Sequence, residues 1–190
     1  MKKNLLISVL MTIATTVLLG VIYPLVVTGL AQVLFKDKAN GQLIVRNGQV
    51  IGSRILGQTF SGAGYFHSRP SAAGNGYDAA NSNGSQLGPT NQHLIDRVNG
   101  DVTTNQSDHP GELVPIDLVT TSASGLDPDI SPASAEFQVA RVARERKTSE
   151  DDVRRLVDAH TKQRDLGLLG EPRVNVLELN LALDDFSRAR

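Results

Sequence analysis

The hydrophobic and polar positions divide the chain into an apolar N-terminal run and a mixed remainder. After two N-terminal lysines no charged residue occurs until Lys36, and Leu, Ile, Val and Met dominate. A bilayer-spanning helix needs about 20 apolar residues, whereas the apolar core of a secretory signal has about 7–15. The run therefore favours an uncleaved transmembrane anchor over residues 1–35, with about 5–33 in the bilayer. The small pair Gly29 and Ala31 would also fit a cleavage site.

Small and hydroxyl residues recur at every fourth position within this run. In lipid such residues let a neighbouring helix approach closely, because packing drives association there. Four residues advance about 400° on an ideal helix, so the strip should wrap around the helix, and Pro24 is expected to kink it. We predict that this strip packs against other membrane helices. It consists of Ser8, Thr12, Thr16, Gly20, Pro24 and Thr28.

The segment after the anchor predicts a β-hairpin and then a long irregular stretch. Asn47-Gly48 separates two apolar runs, and Asn-Gly suits a turn with positive φ at both central residues. We expect a hairpin over 42–56. From 61 to 111 neither the helix nor the strand period persists, which is typical of a functional loop or of disorder. Aromatic residues favour order here, namely Phe60, Tyr65, Phe66 and Tyr77.

Three elements are predicted between 89 and 125. A short helix should follow a cap at Thr90 or Asn91, and its inward residues are Leu94, Ile95 and Val98. Residues 105–110 indicate a polar turn, and the segment 111–125 indicates a strand with prolines at its edges.

The C-terminal part predicts helices. Ser131 caps a helix with Pro132 in its first turn, and the buried stripe is Ala135, Val139, Val142 and Ala143. Ser149 caps the next helix, whose inward face is Val153, Leu156, Val157 and His160 and whose polar face is Arg154, Arg155, Lys162 and Arg164. "GLLGEP" interrupts the chain. Residues 174–184 alternate like a strand, but Asn175 with Glu178 forms a capping box, which favours a final short helix. The fold class is therefore an α/β (α+β) domain with a small sheet, a long Gly/Asn-rich loop and C-terminal helices.

Composition and charge exclude several functions. The chain has 19 basic and 20 acidic residues, a net charge of −1 and no cysteine. Nucleic-acid binding, disulfides and zinc-thiolate sites are therefore not expected. Positive charge is nearly equal on the two sides of the anchor, so the positive-inside rule leaves its orientation open. The four histidines show no metal-binding spacing, and no GxSxG, SxxK, GxxxxGK[ST], GxGxxG or DKTGT motif occurs. No catalytic or metal-ligating residue is assigned, and His160 is interpreted as a core histidine.

The stretch 66–91, "FHSRPSAAGNGYDAANSNGSQLGPTN", has the glycines of a phosphate loop but no lysine. Gly, Asn, Asp and Ser supply positive-φ positions and hydrogen bonds from side chain to backbone. We interpret it as a structural and docking loop in which His67 and Arg69 pin the loop or a partner. The candidate docking residues are His67, Arg69, Tyr77 and Asp78.

Long strings in the chain resemble one family. They are "YFHSRPSAAGNGYDAANSNGSQLGPTN", "VPIDLVTTSASGLDPDISPASAEFQVARVA", "LVDAHT" and "LGEPRVNVLELNLALD", and with the N-terminal span they cover nearly the whole sequence. The chain is similar to the C subunits (KdpC) of the Kdp potassium-transporting P-type ATPases. The resemblance implies a bacterial inner-membrane subunit with a cytoplasmic N-terminus and an extracytoplasmic domain over 36–190, near the potassium entrance. It implies partnership with a channel-like subunit, an ATP-hydrolysing subunit and a small single-span subunit, in a lipid bilayer.

Two roles follow from this resemblance. The first is a non-catalytic accessory subunit that stabilises the complex; the holoenzyme uses ATP, Mg²⁺ and K⁺, none assigned to this chain. Loop carboxylates could then guide potassium, namely Asp78, Asp101, Asp127 and Asp129. The alternative is a catalytic chaperone that raises the ATP affinity of the ATPase subunit. Its candidate nucleotide loop is Ser82, Gly84, Ser85, Gln86, Leu87 and Gly88, whose order departs from LSGGQ and whose expected location is opposite to cytoplasmic ATP.

Overall fold

The computed structural model describes residues 2–107 and 109–188. The chain forms two units, of which the first ends at Leu43 and the second begins at Ile44. The first unit is helical throughout most of its length, and its 33-residue stretch Lys2–Leu34 is long and apolar enough to cross a membrane. Its elements are α1 (Lys2–Val17), a π-helical turn (Leu18–Ile22), α2 (Tyr23–Leu34) and α3 (Lys36–Ala39).

A π-helical turn directly precedes Pro24, the residue at which the sequence predicts a kink. Pro24 lies in the first turn of α2 and has no N–H to donate to the preceding turn. The wider π turn directly before it accommodates the missing hydrogen bond and the proline ring within a continuous helix.

The predicted hairpin follows the N-terminal helices along the chain. Strands β1 (Leu43–Arg46) and β2 (Gln49–Ser53) pair, and the turn residues Asn47 and Gly48 have φ of 51° and 78°. Both central residues thus have positive φ, as the Asn-Gly sequence predicts. The prediction of this hairpin is confirmed.

The long irregular stretch is ordered, but its elements differ from two of the predictions. The helix α4 (Gln92–Gln106) is capped by Asn91, whose side chain accepts a hydrogen bond from His93 N–H. It is longer than expected because it continues through the start of the predicted turn at 105–110; residue 108 lies outside the described residues. Ile95 is exposed rather than inward, whereas Leu94 and Val98 are half-buried.

The strand predicted over 111–125 is wrong. The segment forms a 3₁₀ turn at Ile116–Leu118, which follows Pro115, and is otherwise irregular. Pro115 cannot donate to a sheet, and its neighbours fold back locally through hydrogen bonds from Leu118 N–H to Pro115 O and from Val119 N–H to Ile116 O.

The C-terminal helices follow their predicted caps. Ser131 accepts from Ser134 N–H at the start of α5 (Pro132–Arg146), and Ser149 accepts from Asp152 N–H at the start of α6 (Glu150–His160). Because α6 ends at His160, the prediction that Lys162 and Arg164 belong to its polar face is wrong. Lys162 lies in β4 (Thr161–Lys162), and Arg164 lies beyond it.

The ambiguous segment after 172 contains both a strand and a helix. Strand β5 (Arg173–Asn175) leads directly into α7 (Val176–Arg188), and the Asn175 side chain accepts from Glu178 N–H as the capping pattern predicts. A three-stranded antiparallel sheet forms in the order β3–β5–β4, where β3 is Asp129–Ile130. Val174 faces Ile130 on one side and Thr161 on the other.

The core lies where α5, α6 and α7 pack against β5. Phe66, which comes from the Gly/Asn-rich loop, is the largest fully buried side chain and lies within this cluster. The loop is therefore anchored in the core at its first residue. The other members are Ile130, Ala135, Val139, Val142, Ala143, Val153, Val157, Val174, Val176, Leu179 and Leu183.

Candidate functional site

The Gly/Asn-rich loop starts at a pair of side-chain amides that hold its backbone. Asn180 of α7 accepts from Phe66 N–H at 2.9 Å and donates to Phe66 O at 2.9 Å. Gln138 of α5 accepts from His67 N–H at 2.8 Å and donates to His67 O at 3.1 Å. Both amides are buried, and each replaces the two hydrogen bonds that a neighbouring strand would supply. We call Gln138 and Asn180 the amide clamp.

The predicted docking residue His67 is half-buried beside the clamp. Its Nε2 lies 3.1 Å from Gly62 O. Burial lowers the pKa of His67, and the nearby Arg141 guanidinium lowers it further. The neutral imidazole is therefore favoured, and His67 holds the loop from inside the domain.

Arg69 joins the loop to the segment 120–127. It forms an ion pair with Asp127 at 3.1 Å and donates to the carbonyl oxygens of Thr120 and Thr121 and to Thr120 Oγ1. The planar guanidinium serves several acceptors at once, which a lysine could not do. Arg69 thus joins the loop to the segment 120–127 within this chain, and its predicted role in docking a partner stays a prediction.

Tyr77 and Asp78 shape the middle of the loop. Tyr77 has φ of 55°, its N–H donates to Ser71 Oγ, and its hydroxyl donates to Arg69 O. Burial raises the pKa of the Tyr77 phenol. Asp78 accepts from Ala80 N–H and the Asn81 amide, and these bonds lower its pKa. Both side chains therefore have structural partners within the loop.

The loop crosses the segment 120–127 at a glycine. Gly125 has φ of +67°, and a Cβ at this position would meet Asn83 O at 2.6 Å and Ala73 N at 2.7 Å. Asn83 N–H and Ser82 Oγ both donate to Ser124 O next to it. Only glycine fits here, because both the conformation and the close backbone approach exclude a side chain.

The candidate nucleotide loop forms one wall of a shallow polar cleft of about 460 Å³. Its lining residues carry no charge, and they are Asn83, Gly84, Ser85, Gln86, Thr121, Ser122 and Ala123. Gln86 has φ of 52°, and its amide donates to Asn83 Oδ1. Ser82, Leu87 and Gly88 are exposed beside the cleft. Nucleotide phosphates are usually held by lysine, arginine or convergent backbone N–H groups, and a basic side chain is absent among these lining residues.

The four candidate potassium-guiding carboxylates do not converge on one point. Asp101 pairs with Arg97 at 2.6 Å, and Asp127 pairs with Arg69. Asp129 accepts from the Asn175 amide, yet burial raises its pKa. Within 2–107 and 109–188, no group of three or more His, Asp or Glu side chains is arranged to hold a metal ion.

Asp127 and Asp129 line a charged cleft with Asp117. Partial burial opposes ionisation of Asp117, but hydrogen bonds from Ser131 and Ser134 outweigh it and lower the pKa of Asp117. Its carboxylate thus reinforces the N-terminal cap of α5.

His160, predicted as a core histidine, is half-buried with Nδ1 at 2.8 Å from Leu156 O.

The small-residue strip lies on an exposed helix. Ser8 Oγ donates to Asn4 O at 2.8 Å and Thr12 Oγ1 donates to Ser8 O at 2.9 Å, so these hydroxyls are satisfied within the helix. A Cβ at Gly20 would meet only Thr16 Cγ2, at 3.8 Å. On an α-helix, residues four apart advance by more than one full turn, so the strip moves steadily around the helix axis. The π turn has more residues per turn, so the strip moves back part of the way there. The other members are Pro24 and Thr28.

Sequence reasoning missed the residues that hold the loop from outside it. Gln138 and Asn180 stand among the apolar residues of their helices, and a polar residue on a buried face is the signal that could have identified them. Gly125 and the short strand β3 gave no such local signal.

The comparisons with known proteins agree with one another. Residues 5–185 match the family described as "KdpC: K+-transporting ATPase, c chain". A "Potassium-transporting ATPase KdpC subunit" of Koribacter versatilis is 68% identical, over 97% of this chain and 95% of its own length. Proteins with the same description from Acidobacterium capsulatum and Rhodopseudomonas palustris are 60% and 54% identical, over 93% and 97% of this chain and 95% and 98% of their own lengths. The chain therefore belongs to the KdpC family, the C subunits of the potassium-transporting ATPase complex.

Proposed function

We propose that this chain is a non-catalytic accessory subunit that stabilises the potassium-transporting ATPase complex through its N-terminal helix. The observation that carries the proposal is the surface of that helix, since none of the described residues in α1, the π turn or α2 is buried within this chain. Its small-residue strip offers a close-packing face for a helix of another subunit. Hydroxyls bonded to their own helix do not need partners in the bilayer.

The domain over 36–190 lies on the extracytoplasmic side in this proposal, near the potassium entrance, and the N-terminus is cytoplasmic. Its partners are the channel-like, ATP-hydrolysing and small single-span subunits. His67, Arg69 and Tyr77 support a structural role for the loop because each is engaged by backbone groups of the same domain.

The alternative of a regulator that contacts ATP is less well supported. The cleft beside Ser85 and Gln86 has an uncharged lining, and the Gln86 amide is already bonded to Asn83. An effect on ATP affinity would then be indirect, through assembly of the complex.

Two glycines of the helix provide a matched test. Gly20 belongs to the strip and Gly29 does not, and a Cβ at either would meet no atom closer than 3.8 Å within this chain. We expect Gly20→Leu to reduce co-purification of the other subunits with this chain from detergent, while Gly29→Leu leaves it unchanged. Equal retention of both variants would refute packing through the strip.

Orientation is tested by single-cysteine labelling. The chain has no cysteine, so Ser85→Cys creates a unique, half-buried thiol in the cleft beside the candidate nucleotide loop. A membrane-impermeant maleimide added to intact cells with a permeable outer membrane should label it. Labelling only after lysis would place the loop with cytoplasmic ATP and favour the alternative.

A further inference from the structure

The chain folds back on itself directly after the long N-terminal helix. Helix α2 ends at Leu34, and α3 follows after one residue, Phe35, whose φ of −137° and ψ of 42° are not helical. The side-chain amides of Gln32 and Asn40 donate to each other at 3.3 and 3.2 Å, so they tie the end of α3 to α2. We call residues 31–42 the juxtamembrane turn.

The backbone of the juxtamembrane turn is hydrogen-bonded within the turn. Phe35 N–H donates to Ala31 O and Ala39 N–H donates to Phe35 O, both at 2.8 Å. Gln42 N–H donates to Asp37 O at 3.0 Å. Backbone groups that leave bulk water need such partners, so this turn can lie against a bilayer without leaving them unpaired.

An apolar cleft of about 460 Å³ lies on the juxtamembrane turn. Its walls are Ala31, Phe35 and Ala39, and Lys38 completes the lining. Phe35 is 58% exposed, and Lys36 and Lys38 are exposed as well. The ion pairs among the described residues include neither of these two lysines. The cleft therefore combines an apolar surface with cations that can meet an anion from outside the chain.

The length of the helix puts this cleft at the level of the lipid headgroups. Ser8 and Thr28, the ends of the small-residue strip, are 20 positions apart, which is about 30 Å of helix and equals the thickness of the hydrocarbon core. Phe35 comes seven positions after Thr28, about 10 Å further along the helix axis. A strip that spans the hydrocarbon core thus leaves the juxtamembrane turn in one headgroup layer.

We propose that the juxtamembrane turn binds an anionic phospholipid, with the start of an acyl chain against Ala31 and Phe35 and the phosphate on Lys38. The cleft continues from the surface of the helix to the headgroup layer, where an acyl chain and a phosphate lie next to each other. Phenylalanine and lysine are residues that face these two parts of a lipid at a membrane surface. The proposal rests on the membrane-spanning helix of the accessory role proposed above.

Lipid binding is tested by photolabelling of the complete complex in phosphatidylcholine nanodiscs doped with phosphatidylglycerol that carries a diazirine near one acyl ester. We expect adducts on residues 31–39 of this chain. One lysine near an anionic surface changes binding about fivefold, so unlabelled phosphatidylglycerol should suppress these adducts at least about fivefold better than added phosphatidylcholine. Adducts spread evenly over 2–34, or equal suppression by both lipids, would overturn the proposal. Labelling of the turn in the chain alone but not in the complex would show that another subunit covers the cleft, which also refutes it.

Matched variants test the phosphate contact. Lys38→Gln should reduce the preference for phosphatidylglycerol about fivefold, whereas Lys38→Arg keeps the charge and should retain it. Lys147→Gln removes the same charge from an exposed position directly after α5 and should leave the preference unchanged. A wild-type preference in Lys38→Gln refutes the contact.

The same samples separate this proposal from the accessory role. Unselective labelling in a complex that still co-purifies contradicts only the lipid site. Selective labelling of a chain that does not co-purify with the other subunits contradicts only the accessory role.

Discussion

Replacing Asn180 by alanine tests whether the amide clamp holds the Gly/Asn-rich loop on the core. Asn180 is 0% exposed, and its amide supplies the partners of both Phe66 N–H and Phe66 O, each at 2.9 Å. Asn180→Ala leaves Phe66 N–H and Phe66 O without their side-chain partner. Phe66 is also 0% exposed, so water does not replace that partner. Each buried unsatisfied group costs about 1–3 kcal/mol, so we expect a loss of about 2–6 kcal/mol.

The assay is thermal unfolding of the full chain in detergent, followed by circular dichroism. A loss of that size should lower the midpoint on the order of 10 °C. Asn99→Ala, at an exposed position of α4, is the matched control and should change stability by less than about 0.5 kcal/mol. If Asn180→Ala behaves like Asn99→Ala, the clamp does not hold the loop and the reasoning is wrong.

A nearly isosteric change adds a pH signature to this test. Asn180→Asp keeps an acceptor for Phe66 N–H, but the oxygen that faces Phe66 O can bond only when it carries a proton. Burial and this hydrogen bond raise the pKa of the introduced carboxyl above the ordinary value of about 3.9. Stability relative to wild type should therefore be highest below about pH 4 and fall as pH rises through the raised pKa. A pH-independent difference would contradict this reading.

Two further predictions concern the loop. Gly125→Ala combines positive φ with backbone clashes at 2.6 and 2.7 Å, so it should cost more than about 3 kcal/mol in unfolding free energy; Gly111→Ala, with φ of +83° and open space, should cost only about 1 kcal/mol. Equal losses would show that the loop does not cross at Gly125. Because burial and Arg141 lower the pKa of His67, its neutral form contributes stability above about pH 6.5 that is lost as pH falls through the folded pKa. His67→Gln should flatten unfolding free energy between pH 7 and pH 5, and an unchanged slope would contradict that assignment.

Local chemistry made the hairpin and the helix starts predictable. Asn47-Gly48 encodes positive φ, and Ser131 and Ser149 lie next to the N–H groups that they cap. Such signals act over a few residues, so they can be read directly from the sequence. The long N-terminal helix could also be predicted, because the apolar run is longer than a core helix or the apolar core of a secretory signal needs.

The architecture around the loop could not be predicted because it depends on distant pairings. Asn180 and Phe66 are 114 positions apart, and Arg69 meets its partner Asp127 after 58. The strand expected over 111–125 is wrong because Leu118 and Val119 are buried from a 3₁₀ turn after Pro115 and do not join a sheet. At 174–184 the strand-like alternation and the capping box each correspond to an element, because β5 ends at Asn175 and α7 begins at the next residue.

The central claim is that the N-terminal helix packs specifically within the complex and does not merely tether the domain. Replacing residues 4–34 by a polyleucine span of the same length leaves Lys2, Lys3 and Lys36 in place, so it keeps the tether and removes the small-residue strip. We predict that the chimera remains in the membrane but that its co-purification with the channel-like and ATP-hydrolysing subunits is lost. Recovery of an intact complex with the polyleucine span would contradict the account.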